Sequence, residues 1–359
     1  MVIAILLVAC IIMLCILAEK FSDKVGMPAL IMFMFIGMLF GSDGILKIPF
    51  EDFALAENIC SVALIFIMFY GGFNTKWQAA KSVAGKAIVL STLGVVLTAV
   101  ITAVCCNLIL KFSWLESLLI GSVLSSTDAA SVFAILRKNK LNLKDATASI
   151  LEVESGSNDP LSYLLTMVSI SLINGNGENN ILAMIVFQIV FGVMMGVIFS
   201  KLIIWIMTKR RILSDGLETI FMISMVLGCY GITTVIGGNA YLSVYLFGII
   251  IGNTRIPYKK TLISFFDGVT SLAQIMIFFL LGLLTFPKQM VGFAPKALVI
   301  VAILTLIARP IAVALLMVPV KCSKEQVGLI SWAGLRGGES IIPDGKTTIY
   351  ENDVVVTYK

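Results

Sequence analysis

The 359-residue chain is 59% hydrophobic and only 13% charged, with a net charge of +5 and a mean hydropathy of +1.02. Soluble domains run nearer about 45–50% apolar and about 25% charged, so the composition excludes an ordinary soluble protein and indicates an all-α polytopic membrane protein. Histidine is absent, which removes zinc-hydrolase and His-based acid–base chemistry. The seven cysteines sit mostly in apolar runs without paired metal-ligand spacing; they read as small core hydrophobes, and no transition-metal site is expected.

At about 20 apolar residues per crossing, candidate spans fall at 2–18, 27–41, 54–71, 83–110, 115–136, 146–173, 181–207, 217–235, 239–252, 262–286 and 296–320, and a twelfth begins near Gln326 and stops early. The first lacks a basic leader and a small-residue cleavage site, so it reads as helix 1 and not as a signal peptide. The runs 27–41 and 239–252 are short or glycine-interrupted, which fits tilted or broken transporter helices and equally an error in the boundaries.

Orientation follows from Lys and Arg in the connections. The odd-numbered loops carry seventeen, including Lys76, Arg137, Lys138, Arg210, Arg255 and Lys259; the even loops carry Lys47, Lys111, Lys288 and Lys296. This asymmetry places the odd loops in the cytoplasm and the N-terminus outside. The net positive charge is then a matter of topology, and no nucleic-acid partner is expected; the lipid bilayer is.

Charges inside the apolar runs are Glu57, Asp128, Glu152, Glu154, Asp159, Arg309 and Arg336. Each costs about 2.5–3.5 kcal/mol on insertion scales, so a functional site with partners is the default reading. Three lie in LEVESGSNDP at 151–160. On a helix Glu154 and Asn158 share a face while Asp159 sits about 140° around from Glu154, so the segment can address two neighbours. Asp128 lies in GSVLSSTDAASVF, where small and hydroxyl residues point to a broken helix whose oxygens can coordinate a cation, or alternatively to close helix packing. Arg309 precedes Pro310 in mid-span and cannot shed its proton, so it needs a carboxylate. Glu154 is the expected partner, with Asn158 hydrogen-bonding to the pair. Glu57 more simply reaches the interface, and Glu152 is undecided between the site and a cytoplasmic funnel.

With Glu154 held ionised by Arg309, Asp159 and Asp128 remain for a mobile cation. Burial disfavours a charged carboxylate, whereas a dehydrated monovalent cation favours it, so proton and metal ion compete for one site and their fluxes couple. Oxygen ligands suit Na⁺ or K⁺. Such coupling needs alternating access. No Gly-x-x-x-x-Gly-Lys-Ser/Thr loop is present, so a nucleotide-driven enzyme is not expected.

The strings SSTDAASVF, LEVESGSNDP, ARP and SWAGLRGG resemble the cation:proton antiporter family of the NhaP and sodium/proton-exchanger type, over most of residues 1–338. The resemblance implies an inverted-repeat antiporter fold with discontinuous helices. It implies Asp159 as the shared cation/proton carboxylate, with Asn158 beside it and Thr127, Asp128 and Ser155 as ligands. It also implies Glu154–Arg309 as the structural ion pair and Arg336 near a second helix break. An Asn-Asp pair goes with one-for-one, electroneutral exchange in the family. A bacterial cytoplasmic-membrane location, a homodimer and no cofactor are further implications.

After Gly338 the pattern departs. ESIIPDGKTTIYENDVVVTYK reads as short strands at Ile341–Ile342, Thr347–Tyr350 and Val354–Tyr358. It is similar to the last strands of the cytoplasmic regulatory domain of potassium-conductance regulators. The expected division is therefore a transmembrane antiporter domain over 1–340 with an incomplete second repeat, and a regulatory remnant over 341–359. Three functions follow from this: exchange of H⁺ for K⁺ or Na⁺, an inactive truncated relative, or a passive cation channel. Proton-gradient dependence of flux separates the last from the first.

Overall fold

The computed structural model describes residues 2–25, 28–127, 147–175, 181–210, 217–320 and 322–333, and among them there is no strand. Every backbone polar group at membrane depth must be satisfied within the protein, and helices do this locally. Among the described residues, and apart from the single turn Trp77–Ala80, twelve helices result: α1 Val2–Val25, α2 Ala29–Phe40, α3 Phe53–Asn74, α4 Ala84–Leu110, α5 Trp114–Val123, α6 Thr147–Ile173, α7 Ile181–Trp205, α8 Glu218–Ile236, α9 Ala240–Gly252, α10 Lys259–Leu283, α11 Pro287–Met317 and α12 Lys324–Ala333. Seven of these are long and apolar enough to cross a membrane, and α2, α5 and α9 are shorter apolar helices. Long apolar side chains face outward along α1, α7 and α11, as lipid contact requires.

Two of the expected boundaries are corrected. α11 begins at Pro287 and not at 296. Proline is favoured in a first helical turn because the missing N–H would be unsatisfied there anyway, and the helix then runs through Pro295. Lys288 and Lys296, expected in a loop, are thus helical. Lys288 pairs with Asp43 at 3.2 Å, and Lys296 lies over the Phe112 ring at 5.5 Å. The fifth span, expected as a helix over 115–136, stops being helical at Val123 and gives way to a turn, while residues 128–136 lie outside the described residues. Asp128, Arg336 and the tail strands at 341–359 lie outside the described residues, and so does the expectation of an incomplete second repeat.

The helices sort into two packed groups. In the first, α3 lies along α9, α10 along α2 and α3, and α7 and α8 along α9, with α1 on α2. These contacts are close because glycines remove the side chain between backbones: a Cβ on Gly248 would collide with the Phe69 carbonyl, and one on Gly282 with that of Met34. Around them pack Phe69, Phe247 and Phe266, with ring centroids 4.8–5.2 Å apart. In the second group α4, α5, α6, α11 and α12 pack together. Here α4 and α11 each widen by one π-type turn, at Leu90–Gly94 and Leu304–Ala308. The second lies just before Pro310, which has no N–H to continue the regular register. The groups meet along α6.

Helix ends alternate consistently. Asn253, after α9, accepts from the backbone of Trp77 and donates to the Thr75 carbonyl, after α3, both at 2.8 Å. Gln326 at the start of α12 donates to Thr147 at the start of α6 (3.1 Å). Asp43, after α2, meets Lys288 at the start of α11. The ends after α3 and α9 therefore lie together, as do the starts of α6 and α12, and the turn after α2 lies with the start of α11.

Candidate functional site

The site is built where α5 stops. Ser113 and Glu116 close a capping box at its start, but its last carbonyls face protein at membrane depth and need donors. Hydroxyls of α6 supply them. Ser162 Oγ donates to the Ser122 carbonyl at 2.7 Å, and the Ser122 and Ser169 hydroxyls meet at 3.1 Å. Beyond the turn, the Thr127 carbonyl accepts from Ser155 Oγ (2.9 Å) and Asn158 Nδ2 (3.2 Å). The unwound segment is thus stitched to α6 at successive turns.

Ser126 and Thr127 read the two faces of α6 separately. Ser126 Oγ donates to Asp159 Oδ1 through a short hydrogen bond and reaches Asn158 Oδ1 at 3.3 Å. Thr127 Oγ1 accepts from Asn158 Nδ2 at 2.5 Å and donates to Glu154 Oε1 at 3.2 Å. Glu154 in turn holds Arg309, whose Nη2 lies 2.8 and 2.9 Å from its two oxygens. Both members of the pair are buried, as are Asn158 and Thr127, whereas Asp159 is only partly so.

The expected Glu154–Arg309 pair is present, and the expected two-neighbour arrangement of α6 with it. Asn158 differs in detail: it reaches the pair through Thr127. Ser155 lies at the break, where its hydroxyl is bound to the Thr127 carbonyl. Glu152 is exposed on α6, and Glu57 is partly exposed one turn into α3.

Two contributors to the site, and one acid on the scaffold away from it, were not singled out from the sequence. Ser126, in SSTD, binds Asp159. Asn239 caps α9 through Leu242 N (3.0 Å) and donates its amide to the Pro160 carbonyl (3.0 Å), linking the two groups beside the site. An Asn ahead of an apolar run signals the cap, but nothing local signals its second bond. Asp267, inside α10, accepts from the Tyr70 hydroxyl at 2.7 Å.

Hard oxygen donors converge here from Asp159, Ser126, Ser155 and the Thr127 carbonyl. They suit an alkali ion or a proton and offer nothing soft to a transition metal. The sodium/hydrogen exchanger transmembrane family model matches residues 6–342.

The chain belongs to the sodium/hydrogen exchanger family.

Within it, the chain is similar to a K⁺/H⁺ antiporter NhaP of Alkalimonas amylolytica, 36% identical over 340 residues, covering 94% of this chain and 59% of the relative. It is also similar to a K⁺/H⁺ antiporter NhaP2 of Shewanella sp. strain ANA-3, 33% identical over 332 residues, covering 91% and 57%. The chain therefore spans a little under three-fifths of the length of these relatives. The fold matches that of the sodium proton antiporter MjNhaP1 from Methanocaldococcus jannaschii with a TM-score of 0.82 and 22% identity, over 94% of this chain and 85% of that one.

Proposed function

We propose that this chain exchanges H⁺ for a monovalent cation, K⁺ or Na⁺, at Asp159. One observation carries the reading: Arg309 is engaged with Glu154, so the neighbouring Asp159 carboxylate stands at the helix break without that guanidinium and beside three oxygen donors, Ser126, Ser155 and the Thr127 carbonyl. The step is a substitution, in which the protonated carboxyl gives up H⁺ and the carboxylate takes M⁺, with no other bond changing. Asn158 adds no charge, so the exchange is one for one and electroneutral. Thr127 and Ser155 are ligands after their mutual hydrogen bond opens, Asp128 joins them by family likeness, and Arg336 by the same likeness lies near a second helix break. No cofactor takes part.

Access alternates as the group of α4–α6, α11 and α12 moves against the scaffold of α1–α3 and α7–α10. The relatives' names favour K⁺ as the cargo. The odd loops face the cytoplasm of a bacterial inner membrane, the N-terminus faces out, and the scaffold pairs two copies.

The test is proton flux in liposomes holding this polypeptide, driven by a series of alkali chlorides. K⁺- or Na⁺-dependent proton movement that Asp159→Asn abolishes is expected, unchanged by an imposed membrane potential. Flux retained in Asp159→Asn removes that residue from the mechanism, and cation flux indifferent to a proton gradient makes the chain a channel.

A further inference from the structure

Tyr245 on α9 is almost fully buried, at 2% exposure, and among the described residues its hydroxyl forms no hydrogen bond of good geometry, Thr75 being the polar side chain beside it. A buried unsatisfied hydroxyl is unfavourable by about 1–3 kcal/mol, so it needs a reason. Its neighbour Thr75 gives its own hydroxyl to the Gly71 carbonyl at 2.9 Å. The Tyr245 backbone is locked to the scaffold, because Gly72 of α3 packs directly on its carbonyl. The ring points across the boundary between the two groups and ends on α6: a Cβ at Gly156 would stand 2.8 Å from the hydroxyl oxygen.

Gly156 has its own peculiarity. Pro160, four residues on, has no N–H for the Gly156 carbonyl. On α6 the residues 152, 156, 159 and 163 follow one another along one face. Glu152 is exposed toward the odd-loop end, Asp159 lies about 10 Å further along, and Tyr163 packs edge-on against Tyr241 of α9 at 4.8 Å. The Tyr245 hydroxyl meets α6 at Gly156, one turn from Glu152 and one from Asp159 on that face. It therefore sits between an exposed acid and a half-buried one, opposite the single position on that face that has no side chain.

We propose that Tyr245 is a further cation-contacting residue: held rigid on the scaffold, it lends its hydroxyl oxygen to the alkali ion passing between Glu152 and Asp159, and Gly156 is the opening that admits it. The proposal rests on exchange at Asp159. A hydroxyl without a hydrogen bond of good geometry is available to a dehydrated ion, and its fixed ring makes the passage narrow.

The experiment compares the full chain with Tyr245→Phe, Gly156→Ala and the double variant in K⁺-loaded liposomes. Tyr245→Phe is expected to raise the K⁺ concentration for half-maximal exchange about fivefold, the loss of one weak oxygen ligand, while keeping the maximal rate within about twofold. Gly156→Ala, which displaces the hydroxyl, is expected to do the same. The double variant is expected to match Tyr245→Phe alone, since no oxygen then remains to displace. Unchanged half-saturation in Tyr245→Phe overturns the inference, and so does a fall in maximal rate and melting temperature without a change in half-saturation. If the unmodified chain exchanges nothing, the exchange reading fails by itself. Tyr245 is then judged by K⁺-dependent thermal stabilisation in detergent: a smaller shift in Tyr245→Phe sustains the contact, and equal shifts overturn it.

Discussion

A single guanidinium nitrogen of Arg309, Nη2, bridges both carboxylate oxygens of Glu154, and the two side chains are only 2% and 1% exposed. Two charges withdrawn from water gain little net stability by pairing, but removing one strands the other at a cost of about 3–5 kcal/mol. The pair ties α6 to α11 at the depth of the break, and Thr127 leans on it. Its work is to fix geometry.

Arg309→Ala is therefore expected to lower the melting temperature in detergent and the yield of folded protein. The double variant Glu154→Leu with Arg309→Met is expected to recover much of that stability. Size-exclusion after a heating series reads both. Equal melting of Arg309→Ala and the unmodified chain would show that the pair holds nothing together.

Much of this arrangement is legible in sequence because it rests on charge arithmetic. An arginine flanked by apolar residues demands an acid, and the string at 151–160 offers one on the right face. The span count is legible for a similar reason, since Lys and Arg alternate with the loops. What stays hidden is nonlocal. The direction of the Asn158 amide depends on where Thr127 lands after the break, and nothing between 127 and 158 encodes that position. Ser126 looks like any serine of a small-residue stretch. Gly248 and Gly282 read as generic small residues until Phe69 and Met34 arrive from other helices. The start of α11 was masked by Pro295 and Lys296, which suggest a loop unless the proline is placed inside a helix.

Asn158 provides the second prediction. Its amide nitrogen holds both the carbonyl and the hydroxyl of Thr127, so Asn158→Ala leaves Thr127 held by Ser155 at its carbonyl and by Glu154 at its hydroxyl. The lost bonds amount to about 1–3 kcal/mol, enough to loosen the segment without unfolding the chain. Exchange is expected to fall at least about tenfold, corresponding to about 1.4 kcal/mol, while the protein still elutes as a single folded peak. Full activity in Asn158→Ala would mean that Thr127 is positioned by other contacts.

A contrast between two glycines of the scaffold tests why α3 and α9 can touch. A Cβ on Gly72 would strike the Tyr245 carbonyl, whereas one on Gly71 meets nothing within 4 Å. Gly71→Ala is expected to be neutral or to stabilise by up to about 1 kcal/mol through helix propensity. Gly72→Ala is expected to force the helices apart, costing about 1–3 kcal/mol as overpacking does. Thermal melts of the two single variants decide it, and equal melts would refute the account of the interface.

The alternation of helix ends gives a prediction about the membrane itself. Asn253 joins the loops after α3 and α9, and Lys288 joins the start of α11 to the turn after α2. Lys76 and Arg255 thus belong to one end and Lys47 to the other, whichever way the protein inserts. In the proposed orientation the first end, which carries the excess of Lys and Arg, faces the cytoplasm. In a cysteine-free background, Lys76→Cys and Arg255→Cys are expected to react with a membrane-impermeant maleimide only in inside-out vesicles, and Lys47→Cys only in right-side-out ones. Reversal of all three would invert the orientation and leave the fold intact. A split between Lys76→Cys and Arg255→Cys would contradict the helix packing, because the Asn253 bonds to Trp77 and Thr75 cannot form across a bilayer.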